Sequence, residues 1–252
     1  MTAGLHLPDW RAPAVGAVAS GALLVGGIAD LPWLWVPVIG LQLVVVVTWH
    51  RTADAPAAAS GALVGAGLAA IVDVVVATTE DAPSLGPVAV VLGAGYLIAV
   101  VQQLVRRDGR PRLVDSIATS VTLATLAAFG AAWVVLVQLP DGPDIVVLLA
   151  GASAAAAVGR LAPGMSGAAV APMLAAVLAG WVLGMAVDDA TLGVALGVVA
   201  GLPTALAALL QVRLSAQPGD QPAVQRGAWL PSGAWPLLLV APLGYFVERL
   251  LA

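Results

Sequence analysis

Residues 84–125 read SLGPVAVVLGAGYLIAVVQQLVRRDGRPRLVDSIATSVTLAT. An uncharged run, Ser84–Val105, meets four arginines, Arg106, Arg107, Arg110 and Arg112, and a second apolar run then begins at Ser116. A bilayer core takes about 20 apolar residues per helix. The stretch therefore reads as two membrane spans joined by a short basic loop. Arginine-rich short loops stay in the cytoplasm, so the loop also carries an orientation.

Working outward, the same pattern repeats along the 252 residues. Apolar runs occupy Ala12–Ile28, Leu31–Trp49, Ala58–Thr79, Ser84–Val105, Ser116–Leu139, Ile145–Gly159, Gly167–Val187, Thr191–Val212 and Trp229–Phe246. The first and sixth are short for a crossing. Arginines fall in alternate loops, at Arg11, at Arg51, in the Arg106–Arg112 loop, at Arg160, and at Arg213 and Arg226. The loops between hold only acids: Asp30, then Glu80 and Asp81, Asp141 and Asp144, Asp188 and Asp189. Losing or adding one span breaks this alternation. The reading is an all-α, polytopic membrane bundle of nine spans in a single transmembrane domain, 1–252, with the N-terminus cytoplasmic and the C-terminus outside. A bacterial plasma membrane is the expected location. Trp10, Trp49 and Trp229 fall at expected cytoplasmic ends and Trp33 and Trp35 at an outer end, where an apolar ring with a polar N–H sits best.

Composition agrees. Hydrophobic residues make up 61% and charged residues 10%, against about 45–50% and about 25% in globular domains. The chain has no cysteine, which excludes disulfides and thiolate metal sites. It has no lysine either, which excludes a Walker loop. Phosphate chemistry at a membrane uses clustered carboxylates to hold Mg²⁺. The acids on the cytoplasmic side, Asp9, Asp54, Asp108, Asp115 and Asp220, are scattered, and no DxxD pair occurs among them. The two histidines, His6 and His50, lie at span ends, so no Ser–His–Asp set is credible. No catalytic residue, metal site or cofactor is expected.

Small residues recur every fourth position at Gly193, Gly197, Gly201 and Ala205, at Ala176, Gly180 and Gly184, and at Gly61 and Gly65. Such faces let helix backbones approach closely. They serve either packing within the bundle or an interface with a second copy or another membrane protein. Thr119, Thr122 and neighbouring hydroxyls of the fifth span serve either as packing contacts or as a polar lining. Pro172 and Pro203 each remove one helix hydrogen bond, and a kink is expected at both. Asp73 is the one acid well inside a span. It is either a functional intramembrane acid or an acid near the outer interface, reached by water or by Thr78. The basic loop either enforces topology or holds anionic head groups.

From Arg106 onward the chain resembles the phosphatidate cytidylyltransferase membrane family. Gly151–Arg160 is similar to that family's Ser-Asp-Thr-x-Ala-Tyr-x-x-Gly-Arg: Gly159 and Arg160 match, while Ala152 stands at the Asp and Ala156 at the Tyr. Arg213 matches a later Ser-x-x-Lys-Arg, with Ala205 at the preceding Asp. Pro231-Ser232-Gly233 lies where His-Gly-Gly belongs, and Pro236 and Leu239 fall on two following aspartates. The resemblance implies nine spans and a cytoplasmic-facing site. It also implies a degenerate relative, since every metal-binding acid of the pattern is replaced.

The functional expectation is a non-catalytic membrane protein. It binds or positions phospholipid, or scaffolds a membrane partner, through a face lined by Arg106, Arg107, Arg110, Arg112, Arg160 and Arg213. The alternatives are a small-solute or lipid transporter with a polar cavity around Asp73, Thr119 and Thr122, and a CDP-diacylglycerol-type transferase. Membrane lipids are the expected partners; nucleic acid is not.

Overall fold

A bilayer offers no water to unpaired N–H and C=O groups, so apolar spans close their hydrogen bonds internally as helices. The computed structural model describes residues 10–29, 31–52, 58–79, 83–106, 112–162, 164–215 and 229–251. The helices are α1 Arg11–Ala29, α2 Leu31–Thr52, α3 Ala58–Thr78, α4 Gly86–Val105, α5 Leu113–Phe129, α6 Ala132–Val137, α7 Gly142–Gly159, α8 Gly164–Ala186, α9 Ala190–Ser215 and α10 Trp229–Leu251. Among the described residues nine spans are long and apolar enough to cross a membrane, with α5 and α6 together making one. The chain is a multi-pass membrane helix bundle. Trp10 and Trp33, at span ends, are both 66% exposed, as interfacial anchors are.

Two spans differ from expectation. The sixth starts at Gly142 rather than Ile145, with Pro143 and Asp144 in its first turn. Proline tolerates that position because the missing N–H has no partner there, and an acid suits the positive end of the helix dipole. The fifth is not continuous. It breaks at Gly130 and Ala131, where Gly130 N–H bonds Ala127 O and Ala131 N–H bonds Ala128 O, three residues back instead of four. This tight turn separates α5 from α6. The helices α8 and α9 run on through Pro172 and Pro203.

The broken span is the axis of the bundle. It is 72% buried, against 28% for α4 and for α8. Trp133 of α6 is wholly buried, and its Nε1–H donates to Leu237 O of α10 at 3.0 Å. In turn α10 packs on α1, α2, α5, α6, α7 and α9. At the rim, α8 and α9 form a hairpin through their small residues. A Cβ on Gly180 would collide with the Gly193 carbonyl, and one on Gly197 would lie 2.6 Å from Ala176 O. These stripes are therefore occupied within the chain. The opposite face of α8, with Leu174, Leu178, Trp181 and Val182, is exposed.

Candidate functional site

Counting crossings, the loops that follow α4 and α7 stand at the same end of the bundle. Two polar clusters form there. In the first, Gln103 on α4 is wholly buried. Its Nε2 donates to Ser120 Oγ of α5 at 3.4 Å and to Gln102 Oε1 at 3.3 Å. Ser120 Oγ returns its proton to Ser116 O at 2.9 Å, the four-back bond that a small hydroxyl makes in an apolar helix. Gly61 of α3 leaves the space that Ser120 fills, since a Cβ there would strike its Oγ. Where α4 ends, Arg106 turns extended, at ψ 136. Its Nη1 donates to Gln103 Oε1 at 2.9 Å and to Ser116 Oγ at 3.2 Å. The half-buried guanidinium is thus fixed at the lip between α4 and α5.

Arg112 begins α5 from the left-handed region, with φ 50. Its Nε donates to Asp115 Oδ2 at 2.8 Å, with both side chains about half exposed. Such a pair contributes about 0–1 kcal/mol. Arg107 and Arg110 lie outside the described residues. Arg213, in the last turn of α9, is exposed.

The second cluster belongs to other helices. Arg160, at the end of α7, is only 7% exposed. Its Nη1 donates to Ser232 O of α10 at 2.8 Å and its Nη2 to Gln211 Oε1 of α9 at 2.7 Å. Its fork points into the protein.

Asp73 is half-buried on α3, and its partner is Gln42 of α2, whose Nε2 donates to Oδ1 at 3.0 Å. The same nitrogen donates to Ala127 O of α5 at 3.0 Å. Thr78 bonds the Val74 and Val75 carbonyls of its own helix. Thr119 is half-buried and Thr122 exposed, while Thr125 pairs with Tyr96 Oη at 2.8 Å. Gln42 escapes a reading that starts from charges. Its signal is plain once sought: a lone carboxamide between Leu41 and Leu43 in an apolar run. Gln211 carries the same signal, between Leu210 and Val212, whereas Ser232 carries none, because it accepts through its backbone carbonyl.

No family model matches the chain, and no curated protein matches it. Among the described residues no three His, Asp or Glu side chains gather as a metal site would need.

Proposed function

We propose that this multi-pass membrane protein binds and positions anionic phospholipid at its arginine-bearing end, without turning the lipid over. The observation that carries this reading is the anchoring of Arg106 on Gln103 and Ser116. A guanidinium held in one orientation at the end of an apolar slab loses little freedom when it grips a phosphate, and its planar fork matches phosphate oxygens. Arg107, Arg110 and Arg112 follow within the same short loop. Each basic residue near an anionic surface is worth about 1 kcal/mol. Four exceed what orientation alone requires.

Replacing Arg107 and Arg110 together with Gln tests the reading. The expected result is less co-purified anionic phospholipid by native mass spectrometry in one detergent, with membrane insertion unchanged because Arg106 and Arg112 remain. Equal lipid retention would overturn lipid binding and leave the face as a scaffold for a membrane partner. A second reading, a carrier for a small solute or lipid, draws on Asp73 beside the broken span. It has less behind it, because Thr122 is exposed on the bundle's outside.

A further inference from the structure

The acid of the third span and the break in the fifth stand at one depth. The helices α3 and α5 run parallel, since Gly61 meets Ser120 and Gly65 meets Leu123. Continued at the common rise of two helices, that register sets Asp73 level with the Gly130–Ala131 turn. Gln42 joins the two directly, bonding Asp73 Oδ1 and Ala127 O from one nitrogen. Both neighbours are acceptors, so the nitrogen of the carboxamide must face them, and both its N–H groups are used. Among the described residues the Oε1 of Gln42 and the second oxygen of Asp73 accept no hydrogen bond, and neither atom is sealed off inside the bundle.

Among the described residues no cation pairs with these oxygens. The helices packed on α3 are α2, α4 and α5. Their titratable residues are His50 and Arg51 at the far end of α2, Tyr96 on α4 and Asp115 at the far end of α5. The Tyr96 hydroxyl is taken up with Thr125. A carboxylate at membrane depth is expensive and marks an ion or proton path unless compensated. One amide bond compensates it only in part. The carbonyls of Ala127, Ala128, Gly130 and Ala131 at the turn already accept backbone N–H groups, so the oxygens on hand for a cation are those of Asp73 and Gln42.

We propose that Asp73 is a monovalent-cation site, taking a proton or a sodium ion beside Gln42 Oε1 and the turn between α5 and α6. Binding there draws the third, second and fifth spans together through one occupied carboxylate. The inference is independent of phospholipid binding and needs no transport.

A ligand that binds only the folded state raises its stability with concentration. Thermal unfolding of purified wild type and Asp73→Asn, followed by tryptophan fluorescence, therefore tests it. Choline chloride is replaced by sodium chloride at constant ionic strength, and the series is repeated from acid to alkaline pH. The expected result is a rise in the wild-type midpoint with sodium, or on acidification, that Asp73→Asn loses. A sodium response at fixed pH names the metal ion; a response to pH alone names the proton. The same response in both proteins overturns the proposal. Should Asp73→Asn not fold, wild-type protein is treated with a hydrophobic carbodiimide, which attacks protonated carboxyls, and adducts are mapped by mass spectrometry. An Asp73 adduct suppressed by sodium or by alkali supports the site. No adduct, or one indifferent to both, overturns it.

Discussion

Arg160 Nη2 and Gln211 Oε1 stand 2.7 Å apart, and the other terminal nitrogen of that guanidinium reaches Ser232 O at 2.8 Å. One side chain thus ties α7 to α9 and α10. Burying a cation is unfavourable by several kcal/mol unless good hydrogen bonds answer it. The rigid fork of arginine makes two bonds at once, which a single ammonium cannot reproduce in the same geometry.

Arg160→Ala should therefore lower the unfolding midpoint measurably. It removes two bonds from a charged donor, to half-buried Gln211 Oε1 and to the Ser232 carbonyl, and such a bond contributes about 1.5–3 kcal/mol. Arg160→Lys should fall between. Arg213→Ala, at an exposed position, should change stability by less than about 0.5 kcal/mol. Equal midpoints for Arg160→Ala and Arg213→Ala would remove Arg160 from this role.

The alternation of arginine and acidic loops predicts that Arg106–Arg112 faces the cytoplasm. The chain has no cysteine of its own, so single cysteines report cleanly. Gly109→Cys should resist an impermeant thiol reagent in intact cells, and Asp144→Cys should react. Asp144 is chosen because it is exposed; at its neighbour Gly142 a side chain would meet the Leu136 carbonyl. Protection of Asp144→Cys with labelling of Gly109→Cys would invert the topology.

The family pattern that the second half resembles would put acids at the positions of Ala152, Ala205, Pro236 and Leu239. Here Ala152 is fully buried and Ala205 is 6% exposed, and Pro236 is buried too. None of these side chains carries an oxygen that could hold a metal ion. Purified protein given phosphatidic acid, CTP and Mg²⁺ should form no CDP-diacylglycerol above a mock preparation. Clear product would mean that other residues supply the chemistry.

Loop charge and run length made the spans legible, because both answer to the bilayer itself. Which helix neighbours which was not. The stripes at Gly180 and Gly193 announced close packing, yet nothing local says that they pack on each other. The break in the fifth span hid in Leu126-Ala127-Ala128-Phe129-Gly130-Ala131-Ala132, a run with helix formers throughout and one glycine. Arg160 was picked out as a basic residue at a membrane face. Its inward turn depends on α9 and α10, more than fifty positions away at Gln211 and Ser232.

That glycine supports the last prediction. Gly130 has ordinary helical angles, φ −55 and ψ −39, so alanine meets no backbone strain there. By helix propensity alone Gly→Ala would stabilise by about 1 kcal/mol. Instead, a Cβ at Gly130 would lie 2.7 Å from Gln42 Cγ and 2.8 Å from its Nε2. The methyl group must push the carboxamide off Asp73 and Ala127 O, breaking two bonds. Gly130→Ala should therefore destabilise the protein despite its propensity. Gln42→Ala, which leaves Asp73 without its donor, should destabilise it too. Together the two changes should be less damaging than their sum, because the added methyl then fills the space the carboxamide vacates. Groups in direct contact show coupling of about 0.5–3 kcal/mol in such cycles. Unfolding of the four proteins in one detergent reads it directly. Strict additivity would mean that Gly130 is not what makes room for Gln42, and that the turn between α5 and α6 has another cause.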